Sequence, residues 1–186
     1  MGQHTLVIVT GAQCAGKSSV ARPLAELLSL PLVAKDAIKE QLFDSLGIGD
    51  REWSKRLSRA SFDLIYQFAR LSLESGQSCV VEGNFKPLEE TKHFLDLIKA
   101  TRCRVVQIYC YATAEAVRKR HAERAGQQLR HPGHIDHLYD PDEIAQMAID
   151  GTYAPLDLHG RLIEIETSGP DAADIDVLLT WIGEEG

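Results

Sequence analysis

The chain has 186 residues, 44% of them hydrophobic and 25% charged, which fits one well-buried α/β domain and leaves too little for two. With 27 acidic against 20 basic side chains the net charge is −7, which disfavours extended nucleic acid as a partner because phosphate neutralisation needs a basic face. No apolar run approaches the roughly 20 residues of a membrane span. The strand-like run that opens at Thr5 leaves no room ahead of it for a signal peptide. Cys14, Cys79, Cys103 and Cys110 form no C-x-x-C pair and read as separate small hydrophobes, as expected in a reducing cytoplasm.

Apolar strand-like runs alternate with helical patterns along the whole chain, which predicts a parallel sheet covered on both faces. Thr5 to Thr10 is β-branched and uncharged, as a strand buried on both sides should be. Helical spacing follows from Ser18 to Ser29, then a short strand from Leu30 to Ala34 ends at Lys35-Asp36. A helix over about 37–46 stops at Gly47. A longer amphipathic one over about 52–74 turns Trp53, Leu57, Phe62, Ile65, Phe68 and Leu71 or Leu73 inward and ends at Gly76. Ser78 to Glu82 reads as the third strand, and Pro87 opens a helix to about Ala100. The fourth strand spans Arg104 to Tyr111, with a helix from about Thr113 to Ala125 behind it. A polar, histidine-rich stretch from Gly126 to Asp140 leads into a short helix near 141–149, a fifth strand from Leu162 to Glu166 and a closing helix over 171–182.

The connection between the first strand and the first helix carries the chemistry. Gly11, Ala12, Gln13, Cys14, Ala15, Gly16, Lys17 and Ser18 form a complete G-x-x-x-x-G-K-[ST] phosphate-binding loop, continued by Ser19. The two glycines let the backbone wrap closely, so that successive N–H groups and the helix N-terminus point at phosphate oxygens. Lys17 reaches the β- and γ-phosphates, and the Ser18 hydroxyl ligates magnesium. The expected ligand is therefore a nucleoside triphosphate, ATP with Mg2+. Cys14 lies in this loop near the helix N-terminus and Lys17, a setting that lowers a thiol pKa; the alternative is a small side chain that simply fills the loop.

Other charged positions say where the γ-phosphate goes. Asp36 stands at the end of the second strand, where ligands of open α/β sheets collect, and is placed to take a proton from an attacking hydroxyl; the competing reading is a helix N-cap. Lys39, one turn on, is a candidate for holding an acceptor or phosphate anion. Glu82, at the end of the third strand, is the candidate second acid of the magnesium site, and Asn84 and Phe85 follow it toward the acceptor, although Phe85 also suits the core. Arg120 and Arg124 lie four apart on one helix face, as a pair of charge-stabilising guanidinium groups or as a solvated face. His131, His134 and His137, with Asp136 and Asp140, have no zinc-signature spacing; a lid that closes over the nucleotide suits them better, with Arg130 joining the acceptor site.

Taken together, Gly11 to Ser19, Lys35-Asp36, Val80 to Phe85, Arg120-x-x-x-Arg124 and Glu166-Thr-Ser168 resemble the P-loop small-molecule kinases of the "AAA family ATPase / predicted kinase" group. Relatives of that group include chloramphenicol phosphotransferase, zeta toxins and the kinase domain of polynucleotide kinases. The resemblance implies an α/β P-loop NTPase three-layer sandwich: one domain over 1–186, a five-stranded parallel sheet and a mobile lid at about 120–140. It also implies that Asp36 is the base, that Arg120 and Arg124 belong to the lid, and that Thr167 and Ser168 bind nucleotide in a loop similar to the one lining the adenine. Many relatives carry Arg where this chain has Lys39, and Asp where it has Glu82. The function implied is ATP- and magnesium-dependent phosphoryl transfer to a hydroxyl of a small molecule such as a nucleoside, sugar or antibiotic. The rival reading is a nucleotide-dependent switch with slow hydrolysis.

Overall fold

The computed structural model describes residues 4–126, 131–134 and 138–169. Five parallel strands make one sheet: β1 (Thr5–Thr10), β2 (Leu32–Ala34), β3 (Cys79–Glu82), β4 (Arg104–Tyr111) and β5 (Arg161–Glu166), in the order β2-β3-β1-β4-β5. The apolar run of β1 sits at the centre, with Val7 opposite Val80 on one side and Val106 on the other. Because side chains alternate across a strand, Val7 and Val9 face one layer and Leu6 and Ile8 the other.

On the first face α1 (Lys17–Leu28) packs Val20, Ala21, Leu24 and Ala25 against Val80, Ile108 and Ile163. On the second face α3 (Arg51–Glu74) and α4 (Pro87–Thr101) bring Ile65, Ala69, Phe94 and Leu97 onto Leu6, Ile8 and Val81. This is the three-layer α/β sandwich expected from the alternating pattern. Near the ends of the sheet, α5 (Ala114–Gly126) packs on α6 (Pro141–Ile149), with Val117 meeting Ile144 and Ala145. The helix expected over 171–182 lies outside the described residues, as do Arg130, Asp136 and His137.

Several boundaries differ from the expectation, each for a local reason. Strand β2 begins at Leu32, because Pro31 has no N–H to give to a ladder, although its carbonyl accepts the Val80 N–H at 2.9 Å. It then runs without a loop into α2 (Lys35–Leu46), whose N-cap is Ala34. Asp36 is therefore inside the first turn and is not the cap. Helix α3 starts where Asp50 accepts the Trp53 N–H at 2.8 Å. Its inward side carries Leu57, Ile65 and Leu73, while Leu71 is exposed. All four cysteines are buried free thiols. Among the described residues no helix is long and apolar enough to cross a membrane.

Candidate active site

The phosphate loop crosses the C-terminal end of the sheet between β1 and α1. Gly11 has φ 138°, and a Cβ there would lie 2.0 Å from the Cys110 carbonyl oxygen, so the loop can leave β1 across the end of β4 only with glycine at this position. Gly16, at φ 72°, is the residue before α1. The Lys17 ammonium is buried and donates to the Ala12 carbonyl at 2.6 Å, folding the side chain back over its own loop. Burial pushes the Lys17 pKa down, and the carboxylates of Glu82 and Asp36 oppose that shift. Glu82 feels the reverse: burial raises its pKa, Lys17 draws it back, and Asp36 adds to the rise.

The Ser18 hydroxyl donates to Glu82 Oε2 at 3.2 Å. A hydroxyl and a buried carboxylate side by side, with the carboxylate held above its ordinary range by desolvation, form an oxygen-donor pair that suits a hard divalent cation. Ser18 and Glu82 would hold Mg2+ there. Among the described residues no group of three His, Cys, Asp or Glu side chains is arranged to hold a metal.

From this point a cavity of about 710 Å³ opens between α2, α3 and the residues before α4. Lys17, Ser18, Asp36, Lys39, Glu82, Asn84 and Arg124 all line it, so these sequence candidates do converge. Asp36 is half-exposed and pairs with Lys35 at 3.3 Å. Lys39 is buried and donates to Ser54 Oγ at 2.9 Å, which ties α2 to α3.

Other candidates are placed differently. Phe85 does not face the cavity: it is fully buried between Phe62 and Phe94, at ring separations of 5.5 and 4.9 Å, and serves the core. Arg120 donates to the carbonyls of Cys14, at 3.2 Å, and of Thr167, clasping the phosphate loop to the turn after β5. Thr167 is buried and its hydroxyl meets the carbonyls of Ala15 and Tyr111, both at 3.0 Å, while Ser168 accepts the Thr113 N–H at 2.9 Å. Thr167 thus braces the loop from behind, and Ser168 holds the turn before α5. Cys14 packs with Ala112, Val117 and Ile144, as a side chain that fills the loop.

The histidine segment docks on α2. A short 3-10 turn, Pro132–His134, places His131 at 3.1 Å from Asp44 and His134 at 2.8 Å from Glu40. The His131 ring stacks on Phe43 at 5.4 Å, and a Cβ on Gly133 would come 2.4 Å from that same phenyl ring. Glycine lets the turn sit flat on Phe43, and His134 then lines the cavity.

Sequence reasoning missed most of the α3 wall. Arg51, Ser54, Lys55, Ser58, Arg59 and Phe62 all line the cavity from one helix face. The six recur by threes and fours along α3, beside the apolar stripe of the same helix. Also missed was Glu90, fully buried at the cavity edge, which accepts from Tyr66 and pairs with Arg59 at 3.3 Å.

Residues 6–147 match the family model described as AAA domain. The chain belongs to the AAA domain family. Within that family setting it is 30% identical over 131 residues to uncharacterized proteins of Mycobacterium tuberculosis and Mycobacterium bovis. The match takes in 65% of the chain but 26% of each relative, so the chain spans about a quarter of the length of the curated relatives it matches. The crystal structure of a "putative kinase" from Chloroflexus aurantiacus superposes with a TM-score of 0.88 at 35% identity, over 97% of both chains. A sugar kinase from Janibacter gives a TM-score of 0.63 at 16% identity, over 97% of this chain and 95% of that one. Shikimate kinase from Acinetobacter baumannii, in complex with shikimate, gives 0.56 at 20% identity, over 97% and 93%. The last two share with this chain the fold alone, the five-stranded parallel sheet covered by helices.

Proposed function

We propose that this AAA domain is a kinase that transfers the γ-phosphate of ATP, with magnesium, to a hydroxyl of a small molecule such as a nucleoside, sugar or antibiotic. The observation that carries the reading is the convergence of Lys17, Glu82, Asp36 and Arg124 on one cavity, with the phosphate loop at one end and a second binding space at the other. A switch needs the first end only. The likeness to the Chloroflexus aurantiacus protein supports the same reading.

In this reading the loop amides and Lys17 hold the β- and γ-phosphates, and anionic phosphate restores the charge that burial costs the lysine. Magnesium, when bound, neutralises charge on the phosphate oxygens. Asp36 accepts the proton of the acceptor hydroxyl as its oxygen forms a bond to the γ-phosphorus. The bond from that phosphorus to the bridging oxygen breaks, and ADP leaves with the electron pair. Arg124 faces the same space and stabilises the charge spread over the transferring group. Arg120 acts through the loop it holds. The lid turn on α2 excludes water from the acceptor side.

The test is transfer of labelled phosphate from γ-labelled ATP with magnesium to pooled nucleosides, sugars and aminoglycosides, with Asp36→Asn as control. A labelled pool member whose formation falls about 10²–10⁴-fold in the variant supports the assignment. Slow phosphate release alone, equal in both proteins, moves the function to a nucleotide switch.

A further inference from the structure

The end of the cavity away from the phosphate loop is lined by Lys35, Lys39, Arg51, Lys55, Arg59 and Lys86, in a chain of net charge −7. Four of its carboxylates are engaged in ion pairs, and Glu143 lines the cavity as well. Asp36 pairs with Lys35 at 3.3 Å, Glu40 with His134 at 2.8 Å, and Glu90 with Arg59 at 3.3 Å. Glu89 pairs with Lys86, also at 3.3 Å.

Arg51 stands apart from this pattern. Its guanidinium lies 5.2 Å from the Tyr139 ring, and no carboxylate among the described residues lies within ion-pair distance of it. It lines the cavity one helical turn before Ser54 on the same face of α3. Ser54 in turn bonds Lys39 of α2 at 2.9 Å. A guanidinium fork, a hydroxyl and a buried ammonium are therefore gathered on one patch of cavity wall, a donor set that matches the oxygens of a carboxylate or phosphate. The patch also has a fixed relation to the chemistry. Lys39 is one turn along α2 from Asp36, so the anion receptor and the base are about 5–6 Å apart at their Cβ atoms.

We propose that the acceptor is an anionic hydroxyl compound, a carboxylate or phosphate monoester, whose anion is held by Arg51, Ser54 and Lys39 while its hydroxyl meets Asp36. The hydroxyl half of this inference rests on the kinase reading; the anion half does not. A neutral sugar would leave the Arg51 guanidinium without an anionic partner. An amine-bearing acceptor would bring its charge against Arg51 and Lys39.

The experiment uses two matched sets, glycerol, glycerate and glycerol 3-phosphate, and glucose, gluconate and glucose 6-phosphate. Each compound is measured twice: as acceptor of labelled phosphate, and by thermal shift on protein saturated with magnesium and a non-hydrolysable ATP analogue. Arg51 is exposed at the start of α3, so Arg51→Ala leaves the core intact. The acid or the phosphate ester of a set is expected to exceed its neutral parent by at least 10-fold in kcat/KM, and the acid-to-ester ratio identifies which anion is read. Arg51→Ala should raise the acceptor KM at least 10-fold with the ATP KM unchanged, and Arg51→Lys should recover part of the loss. Anion-dependent thermal shifts that vanish in Arg51→Ala, with no transfer to any compound, uphold the anion site and overturn the kinase reading. A neutral compound that serves as well as its acid and ester, an unchanged acceptor KM or shift in Arg51→Ala, or no response to any compound overturns the proposal.

Discussion

Arginine 120 offers the sharpest separation between two roles for one side chain. As a transition-state arginine it would contribute mainly to kcat, by about 10³ or more. As the structure places it, its guanidinium donates to the Cys14 and Thr167 carbonyls and so joins the phosphate loop to the turn after β5. A further approach to Thr167 Oγ1, at 3.5 Å, is at the limit of a hydrogen bond and contributes little. Two charge-assisted bonds in a half-buried setting contribute about 1.5 kcal/mol each, the low end of their range, so Arg120→Ala should cost about 3 kcal/mol. For a domain of this size that lowers Tm by about 6–12 °C. The loop, released on one side, should bind ATP about 10-fold more weakly, while kcat at saturating ATP changes by less than about 3-fold. Denaturant titration, calorimetric ATP binding and steady-state kinetics on the same preparation measure the three quantities. A kcat loss of about 10³ with an unchanged Tm would refute the clasp and restore Arg120 to the catalytic set.

Three other perturbations test separate parts of the structure. Gly11→Ala puts a methyl 2.0 Å from the Cys110 carbonyl at a φ of 138°, so ATP affinity should fall at least about 100-fold, read by fluorescent-nucleotide titration; affinity within about 3-fold would mean the loop leaves β1 by another path. Tyr66→Phe removes the hydroxyl that donates to the buried Glu90 carboxylate, which should cost about 1–3 kcal/mol in urea unfolding; a change below about 0.3 kcal/mol would show that Arg59 alone satisfies that carboxylate. Burial pushes the Cys79 and Cys110 thiols up to about 12. At pH 8 the thiolate fraction of each is therefore only ~10⁻⁴, and the thiolate is what reacts. Native protein should show no thiol reacting with a disulfide reagent within minutes at pH 8, and four after denaturation. A fast-reacting thiol that ATP protects would place Cys14 back among reactive groups.

Sequence alone determined the parts of this protein that depend on local rules. The phosphate loop is legible because glycine at 11 and 16 and Lys17-Ser18 meet a backbone requirement that few other sequences satisfy. The five strands and their layers follow from alternating apolar runs, since a strand covered on both faces has little choice of side chain. Asp36, Lys39 and Glu82 were reachable because strand ends in a parallel sheet gather at one edge.

What sequence could not decide is which of several chemically suitable groups face the same space. Arg120 and Arg124 are equivalent on a helical wheel, yet the turn after β5 draws one guanidinium into the loop and leaves the other on the cavity. Phe85 follows Glu82 and Asn84 in the chain, but Phe62 and Phe94 meet it in the core. The α3 wall and the docking of Pro132–His134 on Phe43 are contacts between segments some tens of residues apart. Side-chain type states what a residue can bond; only packing in three dimensions states which partner is within a hydrogen bond's reach.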